Sequence, residues 1–367
     1  MRVLHVITGL DAGGAERQLR LLLRHRRAET EVVALGNPGV VADGLRADGV
    51  PVHLVPMSGN TDLSALPALV RLIRRGRFDV VHTHLYRACV YGRLAARLAG
   101  VRTVVATEHS LNGTLIEGRP VDRPGVRGLY VATERLGRTT VAVSQEVADR
   151  LRGWGVPDRR ITLLRNGTDV AGHRFDAADR ERVRRRYAVA ADRPVVGVVG
   201  RLEPPKRVGV LLDALPALPG VTALVVGHGS ARAALERHAR GSGVADRVVF
   251  TGEVDDVAAH LGAMDVLASP APEETFGLAL LEAAASGLPV AYASGPVLDQ
   301  LDDPRHLRVA SDPGAVAVAV ASLLHRPPDR RPAAGLDRFD VVHVAAELDA
   351  LYRRLAARDP MPRKALT

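Results

Sequence analysis

Short apolar runs rich in valine alternate with longer amphipathic stretches along most of the chain. Continuous apolar runs are typical of strands that are buried on both faces of a parallel sheet covered by helices. The pattern therefore predicts an α/β fold built from doubly wound sheets. The predicted strands lie near Val3–Thr8, Glu31–Leu35, Val52–Pro56, Val80–His84, Val101–Thr107, Thr140–Val143, Ile161–Leu164, Pro194–Gly200, Val221–Gly227, Val248–Thr251, Val266–Ser269 and Pro289–Tyr292.

The predicted strands form two series, separated by a charged segment over residues 166–192. A chain of 367 residues is long enough for two cores of ordinary size. We therefore predict two Rossmann-like domains, over residues 1–170 and 190–340. Apolar residues recur at helical spacing near the C-terminus, which predicts a helix over 341–357. Its stripe consists of Val344, Leu348, Leu351 and Leu355.

Charge is distributed unevenly between the two halves. Residues 1–180 hold 27 basic and 18 acidic side chains and the remainder holds 23 of each, so the first half carries the whole net charge of +9. A solvated arginine-rich face is the simplest interpretation, and contact with an anionic membrane surface is the alternative. Aromatic residues make up 3% of the chain. This scarcity argues against a nucleic-acid partner, because few side chains could stack on bases.

Three features bear on the compartment and on the loops. Cys89 is the single cysteine, which excludes an internal disulfide and fits a reducing cytoplasm. The apolar stretches are too short to cross a bilayer, and the N-terminus lacks the pattern of a signal peptide. We therefore expect a cytoplasmic protein, with peripheral membrane contact left open. The stretch 110–127 is rich in Gly, Pro and Arg, and we interpret it as a mobile loop over a ligand cleft.

Candidate chemistry begins at the turns that follow strands, because open parallel sheets bind ligands beyond the carboxyl ends of their strands. After the first strand, Gly13 and Gly14 let backbone amides approach an anion at a helix start, although a tight turn explains an isolated glycine pair equally well. In the second series, Arg201 and Lys206 follow a strand and suit a diphosphate. The chain has 48 arginines and two lysines, so a lysine at this turn is a departure from the basic residue that the chain usually uses.

A second constellation follows the strand that ends at Ser269. Glu274 is expected in a loop and Glu282 on the helix that the loop leads into, so both carboxylates can face one cleft. Gly277 at the helix start leaves amides available for phosphate. Glu282 lies in an apolar run and therefore needs a hydroxyl or a cation as partner.

These segments together resemble the retaining glycosyltransferases of the GT-B fold, family 4, also called group 1 glycosyltransferases. The resemblance covers nearly the whole chain and rests on seven motifs in order. They are Gly13–Glu16, Val81–His84, Thr107–His109, Val141–Ser144, Asn166–Asp169, Gly200 and Arg201 with Lys206, and Glu274–Glu282. It implies two Rossmann-like domains facing a central cleft, with the C-terminal helix 341–357 returning to the N-terminal domain.

The resemblance also implies roles for single residues. The N-terminal domain would bind the acceptor and the C-terminal domain the nucleotide-sugar donor. The catalytic residues would be His109, Glu274, Arg201 and Lys206. Donor contacts would come from Arg201, Lys206, Gly13, Gly14, Gly227, Thr251, Phe276, Gly277, Leu278 and Glu282. Thr275 and the segment 227–230 depart from the usual family pattern, which alters the expected sugar pocket and obscures the base.

The expected reaction is sugar transfer with retention from a nucleotide diphosphate, UDP being favoured over GDP, to a hydroxyl of a glycan, lipid-linked or natural-product acceptor. Arg201 and Lys206 would stabilise the leaving diphosphate, so no metal and no cofactor are expected. His82 and His84 point to one face of a strand and are interpreted as structural rather than metal-binding. The alternatives are a sugar-nucleotide epimerase or hydrolase of the same fold and a non-catalytic sugar-nucleotide-binding protein.

Overall fold

A computed structural model describes residues 1–26, 28–325 and 330–357. The chain divides into two compact units. The first comprises Met1–Gly167 and the chain from Val341 onward, and the second comprises Thr168–Asp340. The second unit thus begins within the charged segment 166–192. Residues 171–189, which the sequence left between two predicted domains, belong to the second unit because they contain a helix that packs within it.

The first unit is a doubly wound α/β layer structure. Its helices and strands up to residue 163 are, in chain order, β1 (Arg2–Ile7), α1 (Gly14–Arg24), β2 (Glu29–Ala34), α2 (Val40–Ala47), β3 (Val52–Leu54), α3 (Ala65–Gly76), β4 (Val80–His84), α4 (Tyr86–Leu98), β5 (Thr103–Glu108), β6 (Leu115–Ile116), β7 (Arg119–Pro120), α5 (Pro124–Glu134), β8 (Thr139–Ala142), α6 (Gln145–Gly153) and β9 (Ile161–Leu163).

Seven of these strands form one parallel sheet in the order β3-β2-β1-β4-β5-β8-β9. The chain runs outward from β1 to β3 and then returns to place β4 on the other side of β1. The carboxyl ends of β1 and β4 therefore flank a topological switch point, where doubly wound sheets bind ligands. The strands β1, β4 and β5 are almost completely buried, although β4 carries the polar residues His82, Thr83 and His84.

The second unit repeats the same construction with six parallel strands. Its elements are α7 (Ala177–Arg186), β10 (Val195–Val199), α8 (Gly209–Ala214), β11 (Thr222–Val226), α9 (Arg232–Gly241), β12 (Val248–Gly252), α10 (Val257–Ala263), β13 (Val266–Ser269), α11 (Leu278–Ala285), β14 (Val290–Tyr292), β15 (His306–Arg308) and α12 (Pro313–Leu324). The strand order is β12-β11-β10-β13-β14-β15, so the switch point lies between β10 and β13.

The last helix, α13 (Val341–Ala357), belongs to the first unit. Its predicted apolar stripe is buried against Val3, Val80 and Val105 of the sheet and Leu22 of α1. This packing supplies the partner surface that the sequence did not identify. Among the described residues, no helix combines the length and the apolar character needed to cross a membrane.

Buried ion pairs tie α7 to the second sheet. Asp265 precedes β13 and accepts hydrogen bonds from Arg180 at 2.6 Å and from Arg184 at 2.8 Å. It also accepts the backbone N–H of Val195, at 2.8 Å. Arg184 is 4% exposed, so removal of its carboxylate partner would leave a buried charge uncompensated. The arginine-rich run is therefore a structural part of the second unit.

The structure confirms the α/β class and all twelve predicted strands, and it adds elements that the sequence did not predict. The stretch 110–127 holds the β6–β7 hairpin and the start of α5. Within the hairpin, the Asn112 side chain accepts the N–H groups of Thr114, at 2.9 Å, and Leu115, at 2.5 Å. The sequence therefore did not predict the regular structure of this stretch. The edge strand β15 was also missed.

Candidate active site

Two of the predicted constellations meet at the switch point of the second unit. The turn from Gly200 to Lys206 follows β10, and the loop from Glu273 to Gly277 follows β13. Because β10 and β13 are adjacent and parallel, both segments leave the same edge of the sheet. Lys206 and Glu274 form an ion pair that joins them. The Lys206 side chain is 33% exposed and that of Glu274 is 15% exposed, so the pair borders solvent.

The loop after β13 ends at a left-handed glycine. Gly277 has φ +95° and is the N-cap of α11. This conformation suits glycine, since other residues adopt it only with strain. The next amides, starting with that of Leu278, belong to the first turn of the helix and lack intrahelical acceptors. Phe276 anchors the loop to the core of the second unit, because it is 2% exposed and packs against Phe339 with ring centroids 6.1 Å apart.

The two carboxylates predicted to share a cleft occupy the expected elements. Glu274 lies in the loop, and its backbone N–H donates to Ser294 Oγ at 3.2 Å. Glu282 lies on α11, four residues after Leu278, so it shares a helix face with the first turn. Both side chains are half-buried. This edge of the second unit therefore presents a cation, two carboxylates and a helix N-terminus together.

Three turns of this edge approach one another closely. The Gly200 N–H donates to Val226 O at 3.0 Å, and the Gly227 N–H donates to Gly252 O at 2.9 Å. A Cβ atom at Gly227 would lie 1.9 Å from Gly200 O, so glycine is required there. Thr251, another of the predicted donor contacts, donates its hydroxyl to Gly252 O at 2.8 Å. Arg201 lies exposed on the same turn as Lys206.

The predicted residues of the first unit lie at its own switch point. Gly13 is the N-cap of α1, and Gly14 is the first residue of that helix, directly after the turn that follows β1. A Cβ atom at Gly13 would lie 2.0 Å from Glu16 Oε2, so this side chain folds over the glycine. His109 follows β5. The helix start and the histidine thus belong to the edge at which ligands of such sheets bind.

His109 is the outermost member of a cluster of four histidines. His5 on β1 contacts His84 on β4, with His5 Nδ1 2.9 Å from His84 Nε2. His84 Nδ1 lies 3.2 Å from His109 Nε2. His82 bonds the hydroxyl of Tyr352 through Nδ1 and that of Thr107, at 2.7 Å, through Nε2. The prediction that His82 and His84 share a face is confirmed, since their ring centroids are 4.2 Å apart.

Burial keeps these imidazoles neutral. The loss of solvation lowers the pKa of His5, His82 and His84 well below the usual value, and charge repulsion within the cluster adds to the effect. Desolvation also lowers the pKa of His109, to about 4. His109 is partly exposed as a residue, but its Nδ1 atom is shielded from solvent. The four imidazoles of the cluster are therefore uncharged near neutral pH.

His5, Arg26 and Tyr352 also belong to this cluster and were not predicted from the sequence. The register places His5 directly beside His82 across the β1–β4 pair, which only the strand order reveals. Arg26 follows α1, and Tyr352 is buried on α13. The one signal in the sequence was a histidine in an otherwise apolar strand, because a buried polar side chain needs a partner.

Two family models match the chain, "Glycosyltransferase Family 4" over residues 12–171 and "Glycosyl transferases group 1" over residues 193–326. The GDP-mannose-dependent alpha-mannosyltransferase of Mycobacterium tuberculosis is 32% identical, over 77% of this chain and 72% of that protein. The D-inositol 3-phosphate glycosyltransferase of Mycobacteroides abscessus is 33% identical over 60% of this chain. That match spans 52% of the relative, so the chain covers about half of its length.

A solved structure resembles the fold over nearly its full extent. HepE from Anabaena, in complex with UDP-glucose, superposes with a TM-score of 0.86 and 22% sequence identity. The match covers 96% of this chain and 100% of HepE. At this identity the likeness concerns the fold, which is two parallel-sheet α/β units in the GT-B class.

Proposed function

The chain belongs to the group 1 glycosyltransferases of family 4, and from that membership we propose that it transfers a sugar from a nucleotide diphosphate donor to an acceptor hydroxyl with retained anomeric configuration. The observation that carries this proposal is the arrangement at the switch point of the second unit. There the Lys206–Glu274 pair lies beside the N-terminus of α11. A cation next to free helix amides suits a diphosphate.

Each group has a role in this proposal. Arg201 and Lys206 bind the diphosphate, and an ammonium has three N–H donors, so Lys206 can bond a phosphate oxygen while keeping Glu274. The amides of Phe276, Gly277 and Leu278, together with Glu274, bind the transferred sugar. Glu282 accepts hydrogen bonds from the ribose hydroxyls. We expect Thr251, with the neighbouring Gly227 turn, to contact the base.

The reaction follows from the charges that develop. The bond between the anomeric carbon and the diphosphate oxygen breaks, and its electron pair stays on the diphosphate. The acceptor oxygen bonds to the same face of the sugar, and its proton passes to the departing diphosphate oxygen. Arg201 and Lys206 stabilise the charge on that oxygen, which is the role a metal plays in other transferases. We therefore propose a reaction that needs neither a metal nor a cofactor.

Donor and acceptor are proposed at different levels of detail. The relatives point to different bases, since the M. tuberculosis mannosyltransferase is GDP-mannose-dependent and HepE was solved with UDP-glucose. We propose a UDP-sugar, as in the HepE complex, with a GDP-sugar as the alternative that the M. tuberculosis relative offers. Gly13 and Gly14 of the first unit would contact the donor through their backbone amides. The acceptor is a hydroxyl of a glycan, a lipid-linked sugar or a natural product.

The experiment is turnover of a panel of UDP- and GDP-sugars with EDTA present, followed by NMR of the anomeric proton. We expect slow hydrolysis of one donor without added metal, and retention in any transfer product. Lys206→Ala and Glu282→Ala should abolish the hydrolysis. Arg240→Met is a matched control, because Arg240 is an exposed cation in the last turn of α9, at the opposite edge of the sheet. Inversion, or an absolute need for a metal, would contradict the proposal.

A sugar-nucleotide epimerase of the same fold predicts a different result. It would convert the donor sugar without any acceptor and would leave the bond to the diphosphate intact in the product. The same NMR experiment therefore separates the two activities. Binding without any turnover would favour a non-catalytic protein.

A further inference from the structure

A series of hydrogen bonds leads from a buried arginine to His109. Arg26 Nη1 lies 3.1 Å from His5 Nε2, and His5 Nδ1 lies 2.9 Å from His84 Nε2. His84 Nδ1 lies 3.2 Å from His109 Nε2. We call these four residues the histidine relay. Each of its inner histidines uses both ring nitrogens, one toward each neighbour.

We propose that Arg26, His5 and His84 are positioning residues that hold His109 as a neutral imidazole with its proton on Nδ1. Arg26 sets the first constraint, because a guanidinium only donates hydrogen bonds and keeps its charge in proteins. His5 Nε2 must therefore accept. A neutral ring carries one proton, so the proton of His5 is on Nδ1, where it is donated to His84.

The same constraint passes along the relay. His84 Nε2 accepts from His5, so His84 carries its proton on Nδ1 and donates it to His109. His109 Nε2 accepts in turn, which leaves Nδ1 as its protonated nitrogen. A second proton on any of the three rings would place two N–H groups face to face. One fixed donor thus sets both the charge and the tautomer of three histidines.

The surroundings hold the first member of the relay in place. The Arg26 side chain is 1% exposed, and its Nε donates to Asp349 Oδ1 at 2.8 Å. Its guanidinium also lies over the Tyr352 ring, 4.7 Å from the centroid. Both partners are on α13, so this helix fixes Arg26, the hydrogen-bond donor at which the relay begins. Desolvation lowers the pKa of every histidine in the relay, which agrees with neutral rings.

A metal site is the competing interpretation of the same cluster. Ring nitrogens of His5, His82 and His84 lie within 4.8 Å of one another, close enough to share an ion. However, both nitrogens of His82 already bond hydroxyl groups, and His5 Nε2 bonds a guanidinium. A divalent ion would have to break these bonds and lie close to the Arg26 charge. The relay satisfies the nitrogens without that cost.

The tautomer decides what His109 can do. With Nε2 accepting from His84 and Nδ1 protonated, the ring can donate a hydrogen bond to an oxygen but cannot accept a proton as a general base. This consequence rests on the proposed function, in which the departing diphosphate takes the acceptor's proton and no enzyme base is required. Its Nδ1–H is shielded from solvent in this structure, so donation to an uncharged or developing negative oxygen requires the ring or the residues that cover it to move.

The direct test is nitrogen-15 and carbon-13 NMR of histidine side chains in the ligand-free protein at pH 7, since chemical shifts and couplings distinguish the two tautomers. We expect His5, His84 and His109 all to carry the proton on Nδ1. Spectra of His109→Gln and His84→Gln assign the signals. A proton on Nε2 of His109, or a doubly protonated ring, would overturn the proposal.

Variants of Arg26 test the cause. Arg26→Met removes the fixed donor, so the relay can reverse and His109 should show a population with the proton on Nε2. Arg26→Lys keeps a donor and should retain the wild-type tautomer. Tyr352→Phe is the matched control, because it keeps the ring beneath Arg26 and removes only the hydroxyl bonded to His82. An unchanged His109 tautomer in folded Arg26→Met would show that Arg26 does not set it.

A zinc titration and the kcat of donor hydrolysis separate the relay from its alternatives. One equivalent of Zn²⁺ should leave the histidine signals unchanged, whereas stoichiometric shifts of His5, His82 and His84 would establish a metal site and refute the relay. In donor hydrolysis, Arg26→Met should lower kcat by about three- to tenfold, as expected for one neutral hydrogen bond, and Tyr352→Phe should not. If no variant or wild type turns over any donor, the proposed function fails while the NMR result still decides the tautomer.

Discussion

Lowering the pH from 7 to 5.5 should destabilise the first unit, because three of its histidines are buried as neutral rings. His5, His82 and His84 are at most 3% exposed, and burial holds the pKa of each well below 6.5. In the unfolded chain these side chains bind protons as the pH falls through about 6.5. The unfolded state therefore binds more protons than the folded state, and the free energy of unfolding decreases with decreasing pH.

The size of the effect follows from proton linkage. A histidine that titrates near pH 6.5 when unfolded and stays neutral when folded loses about 1.2 kcal/mol of stabilisation between pH 7 and pH 5.5. His109, whose folded pKa of about 4 keeps it neutral at pH 5.5, is a fourth such residue, and the four together lose about 5 kcal/mol. This is a large part of the roughly 5–15 kcal/mol that stabilises an ordinary domain. The loss is absent above pH 7, where folded and unfolded states are both neutral at these positions.

The assay is urea unfolding at both pH values, followed by tryptophan fluorescence. Trp154 is the single tryptophan of the chain and packs edge-on against Tyr130 in the first unit, with centroids 5.5 Å apart. Its signal therefore reports on that unit. In His82→Gln the difference between the two pH values should fall by about one quarter, whereas His25→Gln, at an exposed position, should keep the wild-type difference.

A wild-type difference below about 1 kcal/mol would refute this reasoning. So would a His82→Gln variant whose dependence on pH equals that of the wild type. Either result would mean that the buried rings take up protons in the folded state, which would also remove the basis for a neutral relay.

Further predictions concern the second unit and the cysteine. Gly227→Ala should lower the free energy of unfolding, measured with urea, by about 1–3 kcal/mol more than Gly200→Ala. Both glycines have φ above +130°, but only a Cβ atom at Gly227 would strike a carbonyl oxygen. Equal losses in the two variants would contradict the close approach. Asp265→Ala should lower the free energy of unfolding by about 3–5 kcal/mol by leaving Arg184 uncompensated, against less than about 1 kcal/mol for Asp179→Ala, whose side chain is 38% exposed. Burial raises the pKa of the Cys89 thiol to about 12, so thiol reagents should label it only on unfolding; rapid labelling of the native protein would disprove its burial.

The sequence predicted the sheets well because their strands are buried on both faces. Such strands are mostly apolar, and β10, with four valines in five residues, stands out clearly. β15 was missed because it is a three-residue edge strand that contains His306 and Arg308. The β6–β7 hairpin has two residues in each strand, which is too short for a period.

The candidate site was predictable to the extent that it depends on turns. Arg201, Lys206 and Glu274 each follow a strand, and the switch-point rule brings those turns together once the strand order is known. The histidine relay was not predictable in the same way. Arg26 and its partner Asp349 are 323 residues apart, and no local pattern encodes their contact. It depends on the return of α13 to the first unit.

The diphosphate site of the second unit is tested by calorimetric binding of UDP-glucose, with EDTA present, to wild type, Lys206→Met and Arg240→Met. We expect metal-free binding by wild type and by Arg240→Met. Lys206→Met should bind about 10- to 150-fold more weakly, since it loses one hydrogen bond between charged groups. Equal affinity in all three proteins would contradict the assignment of the diphosphate to the switch point of the second unit. If UDP-glucose does not bind, GDP-mannose in the same three proteins decides whether the base or the site was wrong.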